Sequence, residues 1–253
     1  MVTLIIDGHA VKAPEGTTIL EVASQQGIPI PTLCHHQGLT PYGACRLCTV
    51  EITEGARTTL QAACCYPVRD ALVVRTNTPA VVEGRTLLLQ LLLARSPQVP
   101  AIRRLAEQWG VYDTPFSPRN EECVLCGLCV RICGEVMRAE AIGFSGRGTS
   151  RKVGTPFDFA SDACLACGAC TYVCPTGRMQ MEAETVARLR RRTATERKCR
   201  YMLMGLVDSK LCPNHYDCRR CTFDQAMEER FGTHPAFAKA AARAAGAAAS
   251  ALA

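Results

Sequence analysis

Residues 123–133 read CVLCGLCVRIC and residues 164–174 read CLACGACTYVC. Each is a C-x₂-C-x₂-C-x₃-C run, made of Cys123, Cys126, Cys129 and Cys133 in the first and Cys164, Cys167, Cys170 and Cys174 in the second. Four thiolates at this spacing are the ligand pattern of a [4Fe–4S] cluster, and in the paired motif the fourth cysteine of each run crosses over to the other cluster. The expected sets are therefore Cys123, Cys126, Cys129 and Cys174 for one cubane, and Cys133, Cys164, Cys167 and Cys170 for the other. Structural zinc sites pair C-x₂₋₄-C knuckles instead of quartets of this form. Pro175 completes the usual C-P ending of the second run, whereas Gly134 follows Cys133. The proline shapes a turn and donates nothing to iron.

Upstream, Cys34, Cys45 and Cys48, followed by Cys64 or Cys65, come close to the plant-type ferredoxin spacing of a [2Fe–2S] cluster. Spacing alone leaves the choice between Cys64 and Cys65 open. Gly38 and Gly43 would let backbone amides approach the sulfides. His35 and His36 raise a Rieske arrangement, but cysteines already fill all four positions, which favours exposed or supporting histidines. Around this loop, residues 2–6 and 9–13 flank Asp7-Gly8 and read as a hairpin. Thr18 precedes a short amphipathic helix that Gly27 stops, and Pro29 and Pro31 extend the approach to Cys34. The stretches at 47–53 and 71–76 read as further strands. Together these predict a small β-grasp arrangement whose loop from Cys34 to Cys48 wraps a metal.

Residues 79–110 predict two connecting helices packed on the first domain, with a dimer surface as the other use of their leucine-rich face. Between the cysteine runs, GFSGRGTSRKVGTPF (143–157) lacks the GK[ST] ending of a phosphate loop and reads as a crossing between clusters. From 186 to 200 the chain is strongly basic, a solvated helix face or linker with docking to an acidic partner as the alternative. Cys199, Cys212, Cys218 and Cys221, spaced x₁₂, x₅ and x₂, form a further ligand set for zinc or a third [4Fe–4S] cluster, with His215 as a possible substitute. Thr222 to Gln225 matches a capping box opening a helix. The Ala-rich residues 236–253 read as a frayed helix or disordered tail. The expected organisation is α+β: a plant-type [2Fe–2S] domain at 1–78, a helical linker at 79–118, a bacterial-type 2[4Fe–4S] ferredoxin domain at 119–185, a small helical cysteine-rich metal-binding segment at 186–235, and the tail.

Seventeen cysteines in 253 residues could signal disulfides, but secreted disulfide scaffolds are short and rarely repeat such tight triplets. The four ligand sets account for all of them except Cys65. The formal charge of +6 treats these thiols as neutral. Thiolate-bound clusters are anionic, so much of the basic excess offsets them and argues little for nucleic acid. The N-terminus lacks the features of an export signal, and the most apolar stretch, 87–93, is too short to span a bilayer. The expectation is a cytoplasmic chain with no direct membrane insertion.

The ordered set PTLCHHQGLTPYGACRLCTVEI (31–52), ACCYPV (63–68), LLLARSP (91–97), CVLCGLCVRICGEV (123–136), AIGFSGRGTSRKVGTPF (141–157) and ACLACGACTYVCPTG (163–177) resembles a known region. It is similar to the N-terminal iron–sulfur region shared by the large iron–sulfur subunit of respiratory complex I, iron-only and NADP-reducing hydrogenases, and NAD-dependent formate dehydrogenases. The resemblance covers about residues 1–182 and implies Cys64 as the fourth [2Fe–2S] ligand. Two departures stand out. Many relatives carry an additional cluster on one histidine and three cysteines between the two domains, whereas residues 66–122 contain neither residue type. About 70 residues follow Met181, too few for the catalytic domain that relatives append.

The resemblance implies a non-catalytic electron-transfer subunit of an oxidoreductase complex. It would relay electrons between a flavin-containing NAD(P)H-linked subunit and a catalytic partner such as a hydrogenase, a formate dehydrogenase or another low-potential reductase. A succinate dehydrogenase or fumarate reductase iron–sulfur subunit also joins a plant-type domain to a bacterial one, but with different first-domain spacing and cubane ligand order. A zinc-binding protein using the 186–200 stretch on nucleic acid is the remaining alternative.

Overall fold

The computed structural model describes residues 1–179, 183–232 and 234–237. The chain divides into two compact units: residues 1–35 with 40–126, and residues 36–39 with 127–253. Most of the expected Ala-rich tail lies outside the described residues.

In the first unit, strands β1 (Val2–Ile6) and β2 (His9–Ala13) pair antiparallel in the register Ile6 to His9. Asp7 and Gly8 both take positive φ, 48° and 85°, the pairing that a two-residue hairpin turn needs to match strand twist. Val2, Leu4 and Ile6 alternate inward along β1, the period-2 pattern of a half-buried strand. Helix α1 (Ile19–Gln25) starts at a complete capping box: the Thr18 side chain accepts from the Glu21 amide, and the Glu21 carboxylate accepts from the Thr18 amide. Its Ile19, Leu20, Val22 and Ala23 are buried, the first three within the sheet core.

Strands β3 (Thr49–Glu54), β4 (Arg57–Ala62) and β5 (Val73–Arg75) complete a five-stranded sheet in the order β2-β1-β5-β3-β4, with β1 and β5 parallel and every other pair antiparallel. Strand β4 was not among the expected elements. It is an edge strand held by full pairing with β3, and its one large apolar residue, Leu60, is 44% exposed.

Helices α2 (Pro79–Arg95) and α3 (Pro100–Gln108) follow, each with proline in its first turn, where the missing N–H costs nothing. As expected, they pack on the first domain. Leu89, Leu93, Ile102 and Ala106 bury against Leu33 and Leu47 of the cysteine loop, and Val124 and Cys126 lie against the same cluster. The C-terminal carbonyls of α2 are satisfied by the following chain: Arg119 N–H donates to Ala94 O, and Glu121 N–H donates to Arg95 O. The Arg95 side chain donates in turn to Cys123 O at 2.6 Å.

The second unit has little regular structure: α4 (Leu128–Arg131) continuing into a π-helical turn over Ile132–Val136, a two-stranded hairpin of β6 (Gly143–Ser145) and β7 (Lys152–Gly154), then α5 (Ala169–Tyr172), α6 (Ala183–Arg190), α7 (Arg200–Leu203) and α8 (Thr222–Phe231). The glycine-rich crossing therefore forms a hairpin instead of an open loop. Thr222 is the first residue of α8, with Cys221 at the N-cap and no side-chain cap bond, so the expected capping box does not form. Cys221 O instead accepts from the Gln225 amide.

The basic stretch is mostly the solvated face expected of it: Arg190, Arg191, Arg192 and Lys198 are exposed, Arg188 is half-buried, and two residues turn inward. Arg188 pairs with Asp162 and donates to Ser161 O, Arg190 donates to His215 O, and Arg197 and Arg200 are buried. Among the described residues no helix is long and apolar enough to cross a membrane.

Replacing Thr18 with Ala removes the side-chain half of the α1 capping box and the hydroxyl that holds Glu21 in place. It is expected to destabilise the first unit by about 1 kcal/mol, read as a lower denaturant midpoint of that unit's transition. An unchanged midpoint would show that the cap contributes nothing.

Candidate iron–sulfur sites

The loop from Cys34 to Cys48 and the chain at Cys64 converge on one edge of the first unit's core. Cys34, Cys48 and Cys64 are buried, and Cys45 is half-buried. Cys45 N–H donates to Cys34 Sγ at 3.3 Å. A hydrogen bond from Cys64 pulls the Cys48 thiol down to about 7, against the cost of burying it. The partners move the other way. Cys45 is pushed up by its hydrogen bond to Cys34 and by burial, and Cys64 by its hydrogen bond to Cys48 and by burial. These paired thiols hold protons that a metal would have to displace.

The two neighbours left open by spacing face differently: Cys64 meets Cys48, whereas Cys65 is exposed. Cys65 instead packs on the loop itself. A β-carbon added to Gly43, whose φ is +65°, would lie 2.8 Å from Cys65 Sγ. Gly43 and Arg46 (φ 60°) take the left-handed conformation that turns successive amides toward one side of a loop. Over residues 36–39, His36 Nδ1 accepts from the Gly38 amide at 3.1 Å, a structural use of this histidine within its own turn.

Arg85 of α2 is 5% exposed, and sequence reasoning did not single it out. Its guanidinium donates to the carbonyls of Leu47, Thr49 and Thr76 and lies 4.4 Å from the Trp109 ring centroid. Burial lowers its pKa, and the nearby Cys48 opposes that shift. An arginine stays charged in such a place, so the cysteine loop carries a fixed buried cation behind it. The only signal in the sequence was an arginine within an otherwise apolar helix face.

The two C-x₂-C-x₂-C runs repeat one backbone design. Leu125 and Gly127 in the first have positive φ, 55° and 78°, and Ala166 and Gly168 in the second have 48° and 76°. Alternating handedness of this kind folds consecutive amides into an anion-binding nest. The Leu125 amide donates to Cys123 Sγ, and the Ala169 amide donates to Cys167. Gly127 and Gly168 then cap α4 and α5, which carry Cys129 and Cys170.

The division between the units falls between Cys126 and Gly127. Within the second unit, Cys133 falls in electrostatic reach of Cys167 and Cys170. Burial pushes Cys167 up to about 11, and Cys170, Cys133 and Cys164 push in the same direction. Burial also raises Cys170, and Cys133 and Cys164 add to the shift. Cys133 Sγ accepts from the Ala141 amide at 3.3 Å. Cys174 sits among donors: burial would raise it, but the Thr176 hydroxyl and the amides of Met179, Thr176 and Arg178 lower it overall.

Cys199, Cys212, Cys218 and Cys221 line a single cavity in the second unit. His215 is exposed, and its Nδ1 meets the Arg197 guanidinium. It is not among the residues that line the cavity.

Residues 1–79 match the model of a 2Fe-2S iron-sulfur cluster binding domain, and residues 122–178 match that of a 4Fe-4S dicluster domain. The chain thus joins one ferredoxin-type domain of each kind. It is similar to an NADH-quinone oxidoreductase component of Rhizobium meliloti, at 35% identity over 60% of this chain and 21% of that protein. It is also similar to the NADH-ubiquinone oxidoreductase 75 kDa subunit of Reclinomonas americana, at 31% identity over 61% of this chain and 26% of that protein. The NADP-reducing hydrogenase subunit HndD of Solidesulfovibrio fructosivorans is 32% identical over 58% of this chain and 30% of its own length. The chain therefore spans under a third of these relatives. Among solved structures, a chain of an NAD⁺-reducing [NiFe]-hydrogenase superposes with a TM-score of 0.55 at 28% identity, covering 61% of this chain and 74% of that one.

Two substitutions test the loop assignments. Gly43→Ala drives a β-carbon into Cys65 and strains a left-handed residue, so it should lower [2Fe–2S] content, while Cys65→Ala should leave the [2Fe–2S] EPR signal in place; the reverse pattern would make Cys65 the ligand. Arg85→Met should lower the [2Fe–2S] midpoint potential measurably, because it removes a buried positive charge that favours the added negative charge of reduction. Arg85→Lys should restore it. Equal potentials in all three proteins would mean that the arginine only packs.

Proposed function

We propose that the chain is an electron-transfer subunit of a multisubunit oxidoreductase. It would relay electrons between a flavin-containing NAD(P)H-linked subunit and a catalytic partner of the hydrogenase, formate dehydrogenase or low-potential reductase kind. The observation that carries this reading is the joining, in one chain, of a 2Fe-2S domain and a 4Fe-4S dicluster domain in the arrangement shared with subunits of NADH dehydrogenases and an NADP-reducing hydrogenase. A cytoplasmic location and operation without nucleic acid belong to the same proposal.

In this reading the first domain is a β-grasp ferredoxin domain, and Cys34, Cys45, Cys48 and Cys64 hold one [2Fe–2S] group. Cys123, Cys126, Cys129 and Cys174 hold one [4Fe–4S] group, and Cys133, Cys164, Cys167 and Cys170 hold the other. The grouping of Cys133 with the three cysteines of the later run supports the crossed assignment. When bound, such groups supply single-electron exchange, at about −400 mV for the plant-type centre.

The protein's own part is to hold charge and exclude water. Leu33, Leu47, Leu89 and Leu93 close an apolar wall over the Cys34–Cys48 loop. The amides of Cys45, Leu125, Ala141 and Ala169 donate to cysteine sulfurs, which favours the thiolate state that metal binding requires. Arg85 places a positive charge behind Cys48, favouring the added negative charge of a reduced centre. This reading assigns no nucleophile or acid–base pair among the described residues, so the subunit would turn over only artificial acceptors when alone.

Anaerobic purification from the native host should yield a complex containing a flavoprotein that oxidises NADH or NADPH. In that complex Cys45→Ser should abolish the [2Fe–2S] EPR signal, spare the cubane signals and slow NAD(P)H-driven reduction of the catalytic partner. Loss of every signal together, or recovery of the chain without any pyridine-nucleotide-linked partner, would refute the proposal.

A further inference from the structure

The matched dicluster model ends at residue 178, and the four cysteines beyond it form a site of their own. The chain brings them together from two directions. An antiparallel bridge between Lys198 and Leu211, with Cys199 N–H donating to Lys210 O and Cys212 N–H donating to Arg197 O, sets Cys199 beside Cys212. A 3₁₀ turn over Cys218–Arg220 then places Cys218 next to Cys221, whose amide donates back to Cys218 O. The four thiols line one small cavity, of about 20 Å³.

N–H donors and one buried cation reach these sulfurs, with the carboxylates of Asp217 and Asp224 in the same lining. Cys199 accepts from the amides of Tyr201 and Met202, and Cys212 Sγ accepts from the Tyr216 amide at 3.2 Å. Arg200, 8% exposed, lines the cavity and is fixed by Asp224 at 2.5 Å and by the Tyr201 hydroxyl at 3.0 Å. Its Nε is buried and has no hydrogen-bond partner among the described residues. A buried donor without an acceptor is costly, and a sulfide or thiolate of a bound group would satisfy it.

The ligand spacing and the surroundings favour a polynuclear group over a single ion. Only one C-x₂-C pair is present, where structural zinc sites combine two such knuckles. The site also abuts the second cysteine run. Tyr216 packs on Ala166, with Cys212 against the same cluster. Arg200 Nη1 and His234 Nε2 lie 3.7 and 3.8 Å from where a β-carbon of Gly168 would stand. Ala236 N–H donates to His234 Nδ1, so the proton of this ring sits on Nε2 and is donated to Cys167 O at 3.0 Å.

We propose that Cys199, Cys212, Cys218 and Cys221 hold a further [4Fe–4S] cluster whose wall is the Cys164–Cys170 loop. It exchanges one electron with the neighbouring cubane, with no bond made or broken and no proton moved. Its service as an added station rests on the relay reading above; its existence does not.

The test is iron, sulfide and zinc analysis of the full chain prepared anaerobically, as wild type and as the Cys212→Ala/Cys218→Ala double variant, with the [2Fe–2S] EPR signal as the control for folding. The double variant should lose about four irons and four sulfides per chain and keep that signal, and the wild type should contain no stoichiometric zinc. Stoichiometric zinc in the wild type, or an iron count equal in both proteins, overturns the proposal. If the double variant fails to fold, Arg200→Gln decides. This variant keeps all four thiols and should retain the full iron count, while shifting one [4Fe–4S] EPR signal and its potential. No change in either overturns the proposal. A sound iron count in a chain that no pyridine-nucleotide-linked partner reduces would instead fault the relay reading alone.

Discussion

Burying several thiolates in a small protein is possible only where N–H groups and cations meet them, and that demand organises this molecule. Each cysteine loop answers it with residues in the left-handed region. Gly43 and Arg46 serve the first loop, Leu125 and Gly127 the second, and Ala166 and Gly168 the third. At Leu125 and Ala166 a non-glycine residue accepts this conformation, a cost of order 1–3 kcal/mol that surrounding structure must hold in place. Binding of metal by the flanking thiolates is the natural compensation, because metal binding and folding draw on the same free energy.

Regular structure is arranged around that requirement. The five-stranded sheet and α1 make a conventional core from Leu4, Ile6, Ile19, Ile52 and Val74. Helices α2 and α3 then extend an apolar wall over the Cys34–Cys48 loop and tie off the chain just before Cys123. Among its described residues the second unit has short helices and one hairpin, so its cysteine loops do much of the organising. Arg188, Arg190, Arg197 and Arg200 bond within their own unit, while Arg190, Arg191, Arg192 and Lys198 form the charged outer face that a linear reading expects.

The parts of the structure legible in the sequence are those fixed by short-range chemistry. Asp7-Gly8 announces its turn, Thr18 and Glu21 announce a cap, and the cysteine spacings announce their loops, because each signal lies within a few residues of its effect. Strand β4 was hidden because an edge strand without buried alternation is defined by its partner, not by its own residues. The hairpin of β6 and β7 was masked by glycines, which permit strands without favouring them. Thr222 resembled a cap by pattern, but Cys221 occupies that position, as suits a thiol held at the start of α8. The role of Arg85 could not be read locally, since its carbonyl partners lie at Leu47, Thr49 and Thr76.

Mössbauer spectroscopy of the anaerobically isolated chain, grown on isotopically enriched iron, tests the central claim most directly, because it counts each class of centre without relying on turnover. The account predicts one diiron centre alongside a larger cubane fraction, with all the iron in clusters. A spectrum containing cubanes alone, diiron centres alone, or iron bound as isolated tetrahedral sites would contradict it.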